Sequence, residues 1–368
     1  MTTMQRTVPH MKMLHHKGKS VMQRMLALLL DVLLAGGIVG GDYYWTYLMP
    51  QKLASASLVS AVTQPSPTKD PTSQTAGASA AFSAAITPAQ GDWSQKYKDH
   101  FSDTIISTDS IYKSRDISVE LTHVSYDSGK IDYSENGRHV GYGSTVSYTL
   151  ADIYISNIHC LQTAFAKDTY GIGYSETLSS MSARMKSVLA INGDSYSNNR
   201  HQKNGTIIRN GTVYRTKPST EETCVLYRDG TMKIFAPDSF DPSAAIQDGA
   251  WQTWVFGPSL LDESGKAKTK FLTWDYIKES HPRTAIGYYE PGHYCFLVAD
   301  GRKTGAARGM YLEEMAQVFA DLGCAAAYNL DGGQRSFMTL QNNMASSPYK
   351  PSQTIYDAIM LVEPAQGE

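Results

Sequence analysis

The sequence predicts a mixed α/β or α+β body on a central mixed β-sheet with flanking helices and β-hairpins, preceded by an N-terminal transmembrane helix. Three observations lead there. The stretch Tyr294 to Ser336 reads strand, helix, strand; two short segments fold back on Asn-Gly or Asp-Gly turns; and one apolar run near the N-terminus is long enough to cross a bilayer. Two strands joined by a helix cross over in parallel, whereas hairpins are antiparallel, so together they predict a mixed sheet.

Residues 1–20 carry His10, Lys12, His15, His16, Lys17 and Lys19, a basic tail expected to stay cytoplasmic. Residues 21–49 are the expected signal anchor: Met25 to Leu34 is apolar apart from Asp31, and Tyr43, Tyr44, Trp45 and Tyr47 follow where an interfacial belt sits. Such a run spans a core of about 30 Å as a helix, and the leucines offset much of the roughly 3 kcal/mol that Asp31 costs at mid-membrane. Ala54-Ser55-Ala56 resembles a signal-peptidase site but lies too far beyond the apolar run, so an uncleaved anchor with an extracellular body is expected. Residues 50–92 are rich in Ala, Ser, Thr, Pro and Gln. They bury too little surface to repay ordering and read as a flexible stalk.

The body, residues 93–368, has ordinary composition. Charged residues make up 18% of the chain and the net charge is −2, which implies no broad field for nucleic acid. Tyrosine, at 23 residues, suits sugar stacking but equally suits half-exposed strands. The four cysteines, Cys160, Cys224, Cys295 and Cys324, have no C-x-x-C spacing, so no zinc or thioredoxin-type motif is present. Three pairings are open to them; Cys295 and Cys324 fall in buried strands, where a thiol behaves as a small apolar group, and at least two unpaired thiols are expected.

Period-two alternation marks strands at Ile117–Val124 and at Ser147–Ile158, with a glycine-rich loop between. Leu178, Met181, Met185 and Val188 mark a short helix with one apolar face. Val188 to Ile191 is a buried strand ending in Asn192-Gly193-Asp194. Thr206–Arg209 and Thr212–Arg215 flank Asn210-Gly211, and Cys224–Tyr227 and Thr231–Phe235 flank Asp229-Gly230; both read as hairpins. Thr284–Tyr289 leads through a turn to Tyr294–Ala299, then Asp300-Gly301-Arg302, a helix from about Met310 to Leu322 stopped by Gly323, a strand at Ala325–Leu330, and Asp331-Gly332-Gly333-Gln334-Arg335-Ser336. Ile355–Val362 is the last strand.

The polar residues collect at strand ends, where open α/β sheets bind ligands. The candidate set is Asn192, Asp194, Arg283, Asp300, Asn329, Asp331 and Ser336. Arg283 and Arg335 suit phosphate, because a guanidinium fork matches two oxygens at once. Gly332 and Gly333 would let backbone N–H groups approach a ligand. Structural readings compete: Asp300 before Gly301 is ordinary turn chemistry, Arg283 suits a surface ion pair, Asn192 and Asn329 suit loop caps, and His281 and His293 flank turns. Asp331, between a buried strand and two glycines, is the hardest to explain structurally. No G-x-S-x-G elbow, Walker loop or G-x-G-x-x-G is present; Gly171-Ile-Gly173-Tyr-Ser-Glu176 fails at its last position.

Four motifs in order, Ile191-Asn-Gly-Asp194, Arg283-Thr-Ala-Ile-Gly287, Val298-Ala-Asp-Gly-Arg302 and Asn329-Leu-Asp-Gly-Gly333, resemble those of the phosphodiester glycosidase (NAGPA) family over about 188–362. Two departures stand out: Asp194 replaces a second glycine, and Gln334-Arg335 stands where small residues are usual. The resemblance implies hydrolysis of the C1–O bond of a sugar-1-phosphodiester in a surface glycopolymer or exopolysaccharide. Asp331 would be nucleophile or base, partnered by Asp300 or Asp194, with Asn192, Arg283, Asn329, Gly332, Gly333, Arg335 and Ser336 binding substrate. No cofactor is implied. Clustered Asp residues also suit Mg²⁺ or Ca²⁺ in a P–O-cutting phosphodiesterase, and a glycan-binding protein without activity is the other alternative.

Overall fold

A computed structural model describes residues 25–26, 28–30, 32–41, 44, 49–53, 91–132, 141–197 and 204–364. The basic tail, Asp31 and nearly all of the expected stalk lie outside them. The chain divides into two units, Met1–Gln51 and Lys52–Glu368. In the first, the described residues of 25–41 are helical. Among the described residues, however, no helix is long and apolar enough to cross a membrane, so the expected transmembrane span is not supported.

The second unit opens with strands β1 (Ile106–Ser107), β2 (Ile111–Lys113), β3 (Ile117–Asp127), β4 (Thr145–Ile155) and β5 (Leu161–Phe165). Helix α1 (Leu178–Met185) and β6 (Leu189–Asn192) follow. Next come two hairpins, β7 (Ile207–Arg209) with β8 (Thr212–Arg215) and β9 (Thr223–Tyr227) with β10 (Met232–Phe235), and then β11 (Ala250–Trp254). The C-terminal part holds β12 (Arg283–Glu290), β13 (His293–Ala299), α2 (Leu312–Asp321), β14 (Ala326–Asn329), β15 (Met338–Leu340), β16 (Asn343–Met344) and β17 (Asp357–Leu361). Asn210 and Gly211 both take positive φ, 52° and 75°, which is what a two-residue hairpin turn demands.

Two sheets face each other. The larger has the order β14-β12-β13-β4-β3-β2-β1, the smaller β16-β15-β6-β17-β5, and β10-β9-β11 forms a third of three strands. Ile153, Ile155, Phe296, Val298, Tyr328 and Leu330 of the larger sheet meet Leu189, Ile191, Met338, Ile359 and Leu361 of the smaller in one core, which Trp254 of β11 also enters. The opposite face of the larger sheet, with Cys295, Leu297 and Ala299, packs on Leu312, Met315, Ala316 and Phe319 of α2. Both faces of β13 are therefore covered, which explains its unbroken apolar run. On the outer face of the smaller sheet, Ala190, Ala358 and Met360 pack on Leu178 and Met181 of α1.

The expectation of a mixed sheet needs correction. β13 and β14 do run in the same direction, but β12 lies between them and is antiparallel to each. Every pairing in the seven- and five-stranded sheets is antiparallel. The crossover through α2 thus skips one strand. β1, β2, β5, β11, β15 and β16 were absent from the sequence reading, because runs of two to five residues leave too little alternation to tell a strand from a loop.

Helix α2 starts and stops as its residues dictate. Glu314 accepts from the Tyr311 N–H (3.0 Å) and also pairs with the buried Arg308 (2.6 Å). Arg308 in turn bonds the Lys130 carbonyl and the Ser128 hydroxyl, tying the β3–β4 connection to the helix start. At the other end Gly323 has φ 77°, and Gly323 and Cys324 donate to the Ala320 and Phe319 carbonyls (3.0 and 3.1 Å), a Schellman stop. Phe319 is fully buried over Gly287, where a Cβ would come within 2.7 Å of its ring. We expect Phe319→Ala to cost about 3–5 kcal/mol of stability, read by urea denaturation; a loss under about 1 kcal/mol would show that α2 contributes little to this core.

Candidate functional site

The strand register builds one edge. Arg283 at the start of β12 stands opposite Ala299 at the end of β13, and Ala285 stands opposite Asn329 at the end of β14. Residues 282–283, 300–302 and 330–333 therefore emerge side by side. The smaller sheet joins them through the end of β6: the Asp331 N–H donates to the Gly193 carbonyl (3.3 Å). The Asn192 amide donates to the Asp331 carbonyl (2.6 Å), while its oxygen accepts from the Thr284 hydroxyl (2.7 Å) and the Phe337 N–H (3.0 Å). Asn192 is a clamp between the sheets.

Asp331 is the carboxylate this edge presents. Its Oδ1 accepts from the Gly332 N–H (2.9 Å), and its Oδ2 lies 3.9 Å from Arg335 Nη1, with 12% of the side chain exposed. Burial pushes its pKa up to about 6, against the pull of Arg335 and the Gly332 N–H, with Asp194 adding to the rise. Arg335 lies over the Tyr356 ring (4.8 Å) and donates from Nε to the Thr354 carbonyl (3.1 Å) and from Nη2 to the Tyr356 hydroxyl (3.2 Å). These contacts leave Nη1 turned to Asp331. The Ser336 Oγ, nearby, is buried without a partner among the described residues; a Cβ on Gly332 would lie 3.7 Å from it and only 2.9 Å from the Pro282 carbonyl.

The N–H groups of the glycine pair are committed within the protein. Gly332 donates to Asp331 Oδ1 and Gly333 to the Pro282 carbonyl (2.8 Å). The ligand-facing amides expected there are instead the bonds that shape the turn. Gly333, at φ 66°, leaves room for Arg302, whose Nη1 and Nη2 lie 3.5 Å from where a Cβ would stand.

Arg302 was not among the candidates, having read as part of an Asp-Gly turn. Its Nη2 meets the Tyr276 hydroxyl (3.1 Å) and His281 Nδ1 (3.2 Å). His281 Nε2 faces the Tyr276 carbonyl (2.7 Å). A carbonyl only accepts and a guanidinium only donates, so the ring carries its proton on Nε2 and offers Nδ1 to Arg302. Burial, then the charges of Arg283 and Arg302, push the His281 pKa down to about 3, which keeps it neutral. Arg302 Nη1 and Nε meet no hydrogen-bond acceptor among the described residues, and the side chain is partly exposed.

The other candidates face elsewhere. Arg283 is buried, donating from Nε to the Met310 carbonyl (2.9 Å) and from Nη2 to the carbonyls of Ile277 and Glu279. Asp194 accepts from the Ser195 N–H (3.0 Å) and the Val255 N–H (2.8 Å). Beneath it Asp357 accepts from the Asp194 N–H (2.6 Å) and pairs with Arg209 (2.7 Å), all three side chains being buried. Asp357 was also missed; it lies inside a strand that reads as wholly apolar around it. Asp300 accepts from the Ser347 N–H (2.7 Å) and the Ser147 hydroxyl (3.4 Å), and burial raises its pKa. Asn329 donates to the Gly257 carbonyl (2.7 Å), while its Oδ1 is buried without a partner among the described residues. Asp194, Asp300 and Asp331 thus share an edge but have separate partners. Among the described residues no three His, Cys, Asp or Glu side chains gather to hold a metal ion.

Residues 185–362 match the family model of NAGPA, phosphodiester glycosidase. Those residues form a phosphodiester glycosidase domain. The domain holds every site residue above and the strands β6 to β17; β1 to β5 precede it and complete both sheets. A curated relative, the SPbeta prophage-derived uncharacterized protein YomE of Bacillus subtilis, is 32% identical over 171 residues, covering 45% of this chain and 26% of that protein. The chain therefore spans about a quarter of that relative's length. Among solved structures, the catalytic domain of zebrafish N-acetylglucosamine-1-phosphodiester alpha-N-acetylglucosaminidase, auto-inhibited by its pro-peptide, is similar at 20% identity and a TM-score of 0.50, covering 68% of this chain and 90% of that one. A hypothetical protein from Synechocystis is similar at 13% identity and a TM-score of 0.48, covering 67% and 62%. The zebrafish likeness shows that the phosphodiester glycosidase domain and the strands before it share one fold.

Asp331 makes the domain's stability fall with pH. Its folded pKa of about 6 lies above the unfolded value near 4, so between the two the folded state holds a proton that the unfolded state has released. Stability drops through that window and stays lower above it. We expect Asp331→Asn to be more stable than the parent at pH 7 by on the order of 1–3 kcal/mol. The gain should vanish below about pH 4 in denaturation series across pH; a gain unchanged at low pH would place its origin elsewhere.

Proposed function

We propose that the domain hydrolyses the glycosidic C1–O bond of a sugar-1-phosphodiester in a cell-surface glycopolymer or exopolysaccharide. What carries the proposal is the Asp331 carboxylate beside Arg335 Nη1 (3.9 Å), with the Arg302 guanidinium against the Gly333 of the same turn. A glycosyl phosphodiester asks for that pairing, an acid at the anomeric carbon and cations on the phosphate. The phosphate role considered for Arg283 passes to Arg335 and Arg302, since carbonyls occupy Arg283.

The departing group sets the demand on the protein. A phosphate monoester has a second pKa near 6, so it leaves without a strong proton donor. Two guanidiniums that bind its growing charge more tightly than the diester's would lower the barrier by the usual electrostatic route. Asp331, ionised above about pH 6, is then free to act as nucleophile or as base toward water. Asp194 and Asp300 are committed to main-chain N–H groups, so Asp331 works without either as a second acid.

Asp331→Asn should stay folded and lose at least about 100-fold in sugar release from a sugar-1-phosphodiester, the lower bound for a general base. In the parent, kcat/KM should climb with pH through about 6, and water labelled with ¹⁸O should mark the sugar, not the phosphate. Undiminished release by the variant removes Asp331 from the chemistry, and label in phosphate makes the enzyme a P–O-cutting phosphodiesterase. Arg335→Ala and Arg302→Ala should each lower kcat/KM by about 10- to 100-fold, the worth of a charged hydrogen bond. Arg283→Lys should lower Tm before it alters KM; a KM effect at unchanged Tm would return Arg283 to the phosphate.

A further inference from the structure

Cys295 and Cys324 meet between the larger sheet and α2, away from the site, with sulfurs 3.7 Å apart and both side chains buried. Cys295 on β13 pairs with Gly287 of β12, whose other neighbour is Ala327 of β14. Gly287 serves no turn here. It supplies space, because a Cβ at 287 would stand 2.6 Å from Cys295 Sγ. The absent side chain opens a path across β12, and along it the thiol reaches the segment that enters β14. Cys324 is delivered to the far end of that path by the Schellman stop of α2, where its N–H bonds the Phe319 carbonyl.

We propose that Cys295 and Cys324 form a disulfide when the chain folds in oxidising surroundings, linking both ends of the β13–α2–β14 crossover. The sulfurs, 3.7 Å apart, must close to about 2.05 Å for the bond to form. The oxidant is a small-molecule disulfide such as oxidised glutathione. One cysteine thiolate attacks it, forming a mixed disulfide and releasing one glutathione thiol; the second thiolate then displaces the other glutathione. Two protein thiols lose two protons and two electrons, and one reagent disulfide becomes two thiols. Burial holds the Cys295 thiol well above its usual range, so the exchange belongs to folding, before α2 closes over the pair. The bond spans 29 residues that include Asp300 and Arg302, and restricts the unfolded chain accordingly.

The test is independent of any glycosidase assay. The full chain is reduced in denaturant, refolded in a mixture of reduced and oxidised glutathione, and alkylated after renewed denaturation. We expect two of the four cysteines to escape alkylation, a linked peptide pair containing Cys295 and Cys324 in the digest, and a Tm about 5–10 °C above that of the reduced protein. Cys295→Ala and Cys324→Ala proteins, refolded alike, should alkylate at all remaining cysteines and show no such rise. Four alkylated cysteines in the refolded parent, or a linkage through Cys160 or Cys224, overturns the proposal.

Discussion

The two sheets are joined at the site by one side-chain amide. Asn192 accepts from Thr284 on the larger sheet and from the Phe337 N–H beside β15, and donates to the carbonyl of Asp331 itself. Such bonds gain strength in a dry interior, and their loss would leave several buried polar groups unpaired at once. The main-chain direction at Asp331 is thus set from the smaller sheet, although the residue leaves a strand of the larger one. A Gln at 192 would carry the same groups one methylene too far to serve all three partners.

A second layer of charge supports that amide from below. Arg209, Asp194 and Asp357 are all buried, and two acids on one guanidinium make a costly arrangement in a low-dielectric core. Burial accordingly lifts the Asp357 carboxyl to about 7, opposed by Arg209. The network fixes the chain at residues 193–194: Asp357 Oδ1 accepts from the Asp194 N–H and sits 2.7 Å from where a Cβ of Gly193 would be. Gly193 must therefore be glycine for closeness, and its carbonyl is the one that receives the Asp331 N–H. Asp194, which resembles a departure from the family pattern, is here part of the frame beneath the site.

How much of this was legible follows from which signals are local. The Asn210-Gly211 hairpin, α1 and the strands around Asp300 and Asp331 declare themselves through turn chemistry and period, and they stand where the sequence placed them. That Asp331, Asp300 and Arg283 reach one edge was also readable, since it depends only on strand direction. The insertion of β12 between β13 and β14 was not, because pairing order is a long-range choice that no local pattern encodes. Nor were the roles of Arg302 and Arg283 separable: each is an arginine beside a strand end, and only the carbonyls of Ile277, Glu279 and Met310 distinguish the structural one.

That distinction generalises across the edge. Residues that hold the frame spend most of their hydrogen-bonding capacity inside the protein: Asn192 through three bonds, Asp194 through two N–H groups and Arg283 through the carbonyls that its Nε and Nη2 reach. Around Asp331 the accounts stay open. Among the described residues its Oδ2 has only a distant guanidinium, Arg302 keeps two nitrogens without acceptors, and the Ser336 Oγ is buried with no partner. Native interiors seldom leave buried polar atoms unmatched; Asn329 Oδ1, Thr223 Oγ1 and Trp254 Nε1 are such atoms elsewhere among the described residues, and the Ser336 Oγ is the one in the turn that carries Asp331 and Arg335. The carboxyl at the start of that turn has a raised pKa, as do the frame acids Asp300 and Asp357. On the proposed reading this open capacity at one turn meets a phosphorylated sugar, which offers anion and hydroxyl in the same mixture.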